Sequence, residues 1–240
     1  MKAMVLAAGL GTRLRPLTDD RPKALVELNG RTLLEITLAR LRSYGIREVI
    51  INVHHFADMV VDYLRAHDHL GMQIEISREA ELLDTGGGLK RAAHFFLRDA
   101  SNEPFVLHNV DILTNIDLDA MLRFHREHDA LATLAVKQRP SSRQLLFDSA
   151  GLLSGRRNGR DAVPEIVRQA DSLEELAFCG IHILSPKIFA RLDDPENFSI
   201  IPTYLRLAAS GERIVAFRAD NFSWRDVGTS ASLREAAEDS

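Results

Sequence analysis

Residues 9–23 read Gly-Leu-Gly-Thr-Arg-Leu-Arg-Pro-Leu-Thr and then Asp-Asp-Arg-Pro-Lys, directly behind the apolar run 4–8. These residue types suit an anion. Gly9 and Gly11 let main-chain N–H groups close on phosphate oxygens, while Arg13, Arg15 and Lys23 supply positive charge. Three phosphate-binding designs compete for the segment. A dinucleotide loop needs a third glycine and an unbroken helix, but Leu14 stands near that position and Pro16 interrupts the helix. A Walker-type loop needs Gly-Lys followed by Ser or Thr, which is absent here. The third design is a long loop wrapped around a nucleoside triphosphate. In it Thr12 and Arg13 grip the β/γ end and Lys23 reaches back to it, the arginine fork taking two oxygens and the lysine acting as a compact charge.

Such a loop needs a rigid sheet behind it. Residues 2–8 read as a buried strand that opens into the loop. Helix and strand then alternate: helix over 32–44, strand 48–53, helix 58–66, strand 72–76, helix 87–97, strand 104–108, helix 117–128 and strand 130–137. Residues 138–175 break the rhythm with short apolar pieces between Ser, Gly, Arg and Pro, which predicts an antiparallel excursion or lid. A strand over 178–184, helices over 186–192 and 200–210, strands over 213–218 and 222–224, and a helix over 229–237 complete the chain. The pattern predicts an α/β fold, Rossmann-like, with a mostly parallel central sheet flanked by helices. A single domain over 1–240 with a small antiparallel β insert at about 138–175 is expected.

Composition narrows the function. A net charge of −4 and a pI near 6.1 argue against a partner that is nucleic acid. The single cysteine, Cys179, excludes an intramolecular disulfide and a multi-cysteine metal site, and fits a reducing compartment. No stretch approaches a membrane span, and the run 4–8 is too short for a signal peptide, so a cytoplasmic protein is expected.

With these motifs in order, the chain resembles the sugar-1-phosphate nucleotidylyltransferases. Their signature appears as Gly9-Leu10-Gly11-Thr12-Arg13, Pro16-Leu17-Thr18 and Pro22-Lys23. It continues as Thr85-Gly86-Gly87-Gly88, as Asn109-Val110-Asp111, and as Trp224-Arg225-Asp226-Val227-Gly228-Thr229, so it covers nearly the whole chain. The length and the Thr-Gly-Gly-Gly form are most similar to the small N-acetylmuramate-1-phosphate uridylyltransferases and to mannose-1-phosphate guanylyltransferase-like relatives.

The resemblance implies nucleotidyl transfer from a nucleoside triphosphate to a sugar 1-phosphate, with pyrophosphate expelled. UTP and an N-acetylated amino-sugar phosphate are preferred among the substrates, while uracil, thymine and guanine all stay open as bases. Mg²⁺ is the implied cofactor, held by Asp111 at the end of a strand and by Asp226; such ions take one or two carboxylates plus phosphate oxygens. Lys23 is expected to stabilise charge on the phosphates, and Arg13 to hold the departing pyrophosphate. Gly86 and Gly87 would let the backbone approach the base at a helix start, with Ala8 and Gly9 opposite. Asn109, Gln144, Gly180 and Asp226 are the implied acceptor-side residues. A monomer or homodimer is expected. Two other readings stand beside this one: a choline-phosphate cytidylyltransferase-like enzyme, and a non-catalytic nucleotide-sugar-binding protein.

Two departures from the family pattern carry expectations of their own. Relatives place glycine where this chain has Val110, whose branched side chain disfavours positive φ and would add bulk beside the metal. The insert reads Gly155-Arg156-Arg157-Asn158 without the usual lysine, leaving Arg156 or Arg157 to take its place or to be solvated. His54 and His55 are expected to be structural, because neighbours on an extended chain point opposite ways. Cys179 is expected in the core. Glu79 is read as a member of a solvated acidic loop that could touch the nucleotide sugar.

Overall fold

The computed structural model describes residues 1–99 and 101–239. In chain order the strands are β1 (Ala3–Leu6), β2 (Glu27–Leu28), β3 (Arg31–Thr32), β4 (Glu48–Val53), β5 (Gln73–Arg78), β6 (Phe105–Asn109) and β7 (Ile112–Thr114). They continue as β8 (Ala132–Lys137), β9 (Arg143–Phe147), β10 (Leu153–Asn158), β11 (Glu165–Ile166), β12 (Glu174–Leu184), β13 (Ile214–Arg218) and β14 (Trp224–Asp226). The helices are α1 (Leu33–Ser43), α2 (Ala57–Ala66), α3 (Asp84–Arg91), α4 (Ala93–Leu97), α5 (Leu118–Glu127), α6 (Ile200–Ala209) and α7 (Ser230–Glu238).

Ten of the strands form one sheet. Its first half runs β5-β4-β1-β6, all parallel, and β1 in the middle is apolar because helices cover both of its faces. Leu6 of β1 stands in register with Asn52 of β4 and Asn109 of β6. The carboxyl ends of three strands therefore meet at one edge, where open α/β sheets gather ligands. Strand β12 then enters antiparallel, pairing with β6 and β8 along its second half and with β9 along its first, and β13 returns parallel to β8. The segment expected as an insert supplies β9, β10 and β11, antiparallel extensions of the same sheet. Apolar side chains fill one cluster on each face of the sheet, one beneath α1 and α2 and the other beneath α3, α4 and α6.

Helix termini follow local chemistry. Thr32 caps α1 by accepting from Glu35 N at 3.1 Å, Asp117 caps α5 by accepting from Asp119 N at 2.9 Å, and Thr229 and Ser232 cap α7 reciprocally. Three elements differ from the sequence reading. Residues 186–191 form a 3₁₀ turn, not an α-helix. The helix expected over 87–97 starts at Asp84 and breaks at Ala92. The strand expected over 222–224 lies two residues later as β14, because it pairs with β7, an element the sequence reading did not place.

Candidate active site

The β7–β14 ribbon does the assembling. Asp226 pairs with Ile112, the residue after Asp111, and Val227 N donates to the Asp111 carbonyl at 2.9 Å. Two carboxylates more than a hundred positions apart in the chain are thereby brought together. A Cβ placed on Gly228 would stand 2.7 Å from Asp226 Oδ1, 2.8 Å from Arg13 Nη2 and 3.0 Å from Asp111 Oδ2. All three groups face one point, which stays open because residue 228 is glycine. Lys23 Nζ donates to Asp111 Oδ2 in a pair that is largely shielded, with 12% and 13% of the two side chains exposed. Arg13 Nη2 lies 3.9 Å from Asp226 Oδ2.

The donor set fits a hard divalent cation of the Mg²⁺ kind: two carboxylates with room for phosphate oxygens and waters. Among the described residues no cluster of three or more His, Cys, Asp or Glu could hold a metal by itself. His54 instead bonds the Glu79 carbonyl through Nδ1 at 2.9 Å, and His55 packs on Phe56.

Beside this junction lies a cleft of about 470 Å³ lined by Ala8, Gly9, Lys23, Asn109 and Asp111 on one side and by Glu79, Asp84 and Thr85 on the other. Its floor is a buried relay. Asn52 Oδ1 accepts from Ala7 N at 2.9 Å, Asn52 Nδ2 donates to Glu79 Oε1 at 2.7 Å, and Glu79 Oε2 accepts from Leu83 N at 3.0 Å. Glu79 is thus buried, not a solvated loop residue, and ties the end of β1 to the start of α3. Its carboxylate also sits where a helix N-terminus favours negative charge. The sequence reading missed Asn52; an amide inside the apolar run Val49-Ile50-Ile51-Asn52-Val53 was the available signal.

Gly86 and Gly87 also serve packing. They lie inside α3, with both amides donating to the Phe198 carbonyl at 2.9 and 3.2 Å. A Cβ on Gly86 would collide with the Phe198 ring, one on Gly87 with the Glu196 carbonyl, and one on Gly88 would approach Asn52 Nδ2 to 2.8 Å and Glu79 Oε1 to 2.9 Å. The run lets the 196–198 segment and the Asn52–Glu79 relay pack against the helix, and the cleft wall itself is made by Asp84 and Thr85. Gly11 adopts φ +66°, and its carbonyl accepts from Leu14 N and from Thr18 Oγ1, which folds Thr12 and Arg13 into a 3₁₀ turn. Of these two, Arg13 reaches the Gly228 point.

A sequence profile of the family described as nucleotidyl transferase matches residues 2–240. An N-acetylmuramate alpha-1-phosphate uridylyltransferase from Caulobacter vibrioides is 38% identical over 94% of this chain and 91% of its own length. A UTP–glucose-1-phosphate uridylyltransferase from Synechocystis is 30% identical over 95% of this chain, which spans 60% of that relative. The chain belongs to the sugar-1-phosphate nucleotidylyltransferase family. Its fold matches that of HddC from Yersinia pseudotuberculosis with a TM-score of 0.78 at 22% identity, over 99% of this chain and 98% of the other.

As a member of the family the chain is a sugar-1-phosphate nucleotidyltransferase, and its two departures from the family pattern can be placed. Val110 does not adopt positive φ; its side chain is 3% exposed and packs into the core cluster under α1, while Thr37 Oγ1 donates to its carbonyl at 3.3 Å. Val110 also lines the cleft, but the atoms nearest the Gly228 point are those of Asp226, Arg13 and Asp111. Arg156 is paired with Glu165 at 2.6 Å and Arg157 with Glu175 at 2.6 Å. Gly180 adopts φ +75° at a bulge in β12, where a Cβ would meet Ile112 Cγ1 at 2.8 Å and Asn109 Nδ2 at 3.0 Å, placing it against the junction. Gln144 lines no part of the cleft: Nε2 donates to the Arg139 carbonyl at 3.0 Å, and Oε1 is buried without a partner. Cys179 is buried and its thiol is pushed up to about 12 by desolvation, which suits a core residue and not a nucleophile.

Proposed function

We propose that the chain transfers a uridylyl group from UTP to an N-acetylated amino-sugar 1-phosphate, releasing pyrophosphate, with Mg²⁺ as its cation. The observation that carries this reading is the convergence of Asp111, Asp226, Arg13 and Lys23 on the open point above Gly228, beside a cleft sized for a nucleotide. An oxygen of the sugar phosphate attacks the α-phosphorus, and the bond to the bridging oxygen of pyrophosphate breaks. Both reactants are anions, so positioning and charge neutralisation dominate the catalysis.

Asp111 and Asp226 are the residues that would hold the metal, which there supplies charge neutralisation to phosphate oxygens. Lys23, kept in place by its pair with Asp111, presents an ammonium to the same oxygens. Arg13 takes the departing pyrophosphate, with Gly11 and Thr12 shaping the turn that aims it. Ala8 and Gly9 bring backbone to the nucleotide, and Asn109 with Gly180 borders the acceptor side. The preference for UTP and for an amino sugar is supported by the Caulobacter relative, which this chain matches along nearly its whole length.

Pyrophosphate release from UTP, dTTP and GTP, each with N-acetylglucosamine 1-phosphate, N-acetylmuramate 1-phosphate, glucose 1-phosphate and mannose 1-phosphate, tests the reading. Turnover should be fastest with UTP and an N-acetylated sugar, and EDTA should abolish it. Turnover that persists in metal-free buffer would remove the metal role, and a faster rate with GTP and mannose 1-phosphate would replace the substrate assignment.

A further inference from the structure

A second hollow of about 740 Å³ is walled by Arg13, Arg139, Arg143, Trp224, Arg225 and Asp226 together with several hydroxyl-bearing side chains. Among the described residues Asp226 is its only acidic wall residue, in a chain whose net charge is −4. Arg225 is spent on Asp239 at 2.6 Å, and Arg13 faces Asp226. Arg139 and Arg143 are different: neither forms a salt bridge with a carboxylate among the described residues. Arg139 is nonetheless rigidly held. Its guanidinium lies 4.0 Å over the Trp224 ring, and Nη2 donates to the Phe178 carbonyl at 2.9 Å. The indole is itself fixed by a bond from Nε1 to the Cys179 carbonyl at 2.8 Å. Arg139 Nε and Arg225 Nη1 are buried donors without partners among the described residues. Buried cationic donors left unsatisfied are costly, so their retention in the hollow that Asp226 also walls points to a ligand that completes them.

We propose that Arg139 and Arg143 form an anion subsite that binds a carboxylate carried on the acceptor sugar, so that the enzyme selects sugar phosphates bearing this second negative group. The inference rests on the sugar 1-phosphate reading above and deepens it. The reacting phosphate belongs at the Gly228 point; Arg13 and Asp226, which face that point, also wall the hollow, so the two adjoin. The planar arginine fork matches a carboxylate in two hydrogen bonds, and the stacked indole removes most of the freedom that binding would otherwise freeze out.

The test compares UTP-dependent pyrophosphate release with N-acetylglucosamine 1-phosphate and with N-acetylmuramate 1-phosphate, which adds a lactyl carboxylate to the same ring. Three proteins are used: the unaltered chain, Arg143→Gln at an exposed position, and Arg139→Lys, which keeps charge but loses the fork. The proposal expects kcat/KM about tenfold or more higher for the carboxylated acceptor, and a loss of about that size in each variant for that acceptor alone. The change should lie in KM, and the neutral acceptor should stay within about twofold. Equal losses with both acceptors would overturn it and assign these arginines to pyrophosphate or to folding. A carboxylate preference that survives both substitutions would overturn it as well. Turnover of both acceptors without preference leaves the sugar 1-phosphate reading standing and removes the subsite; no turnover of any sugar phosphate with any nucleotide removes both.

Discussion

At the scale of single residues, Lys23 and Arg13 carry the positive charge that the reaction needs. Lys23 is shielded and paired with Asp111, whereas Arg13 is more open and stands 2.8 Å from the Gly228 point. Replacing either with alanine leaves the core untouched, so far-ultraviolet dichroism and the urea midpoint should hold while pyrophosphate release falls ~10²–10³-fold. Near-normal turnover in Lys23→Ala would take the lysine out of the chemistry. These residues were legible in the sequence because glycine, threonine, arginine and lysine at that spacing have few other uses, and the same holds for Asp111 and Asp226 once the flanking motifs are read together. Asn52 and Arg139 were not, and Glu79 only in part, since its burial was not. An asparagine in an apolar strand, an acid in an acidic stretch and an arginine after a strand each have an ordinary reading, and only the pairing of distant segments shows what they touch.

Among the elements, the largest difference between expectation and structure concerns α3 and the β7–β14 ribbon. Beyond the backbone surface for the base that the sequence suggests, the glycine run is a packing surface on a helix, crowded by residues 196–198, which nothing local could reveal. Gly87→Ala separates the two roles. By intrinsic propensity alone the change would stabilise a helix interior by about 1 kcal/mol. Here the added carbon collides with the Glu196 backbone carbonyl, and overpacking of this kind costs about 1–3 kcal/mol. The steric term wins, so a lower urea midpoint is expected, and a raised midpoint would contradict the packing role. The ribbon escaped the sequence reading because Ile112-Leu113-Thr114 is only three residues long and finds its partner more than a hundred positions away. The alternating strands and helices of the first half were legible because their apolar periods are long.

For the whole molecule, three histidines buried in or against the sheet set how stability responds to acid. Burial holds His108 and His125 down at about 4 and His182 at about 3, with the charge of Arg40 acting in the same direction on His108. His182 keeps its neutral ring by bonding the Tyr204 hydroxyl at 2.8 Å, and His125 by bonding Thr133 Oγ1 at 2.9 Å. The unfolded chain protonates these groups near 6.5, the folded chain only at lower pH, so their contribution is complete above about 6.5 and is lost as pH falls toward 4. Thermal midpoints should be flat from pH 8 to 7 and fall progressively by pH 5, roughly 2–4 °C for each kcal/mol lost; an unchanged midpoint at pH 5 would contradict this. Among the described residues no helix is long and apolar enough to cross a membrane. What the fold achieves as a unit is the meeting of two carboxylates more than a hundred positions apart in the chain, and Mn²⁺ as a paramagnetic stand-in reports on it directly. Water-proton relaxation, read with a non-hydrolysable UTP analogue present, should show one enzyme-enhanced site that weakens by at least ~10-fold in Asp111→Asn and again in Asp226→Asn. Undiminished enhancement in either variant would show that the two side chains do not share a cation.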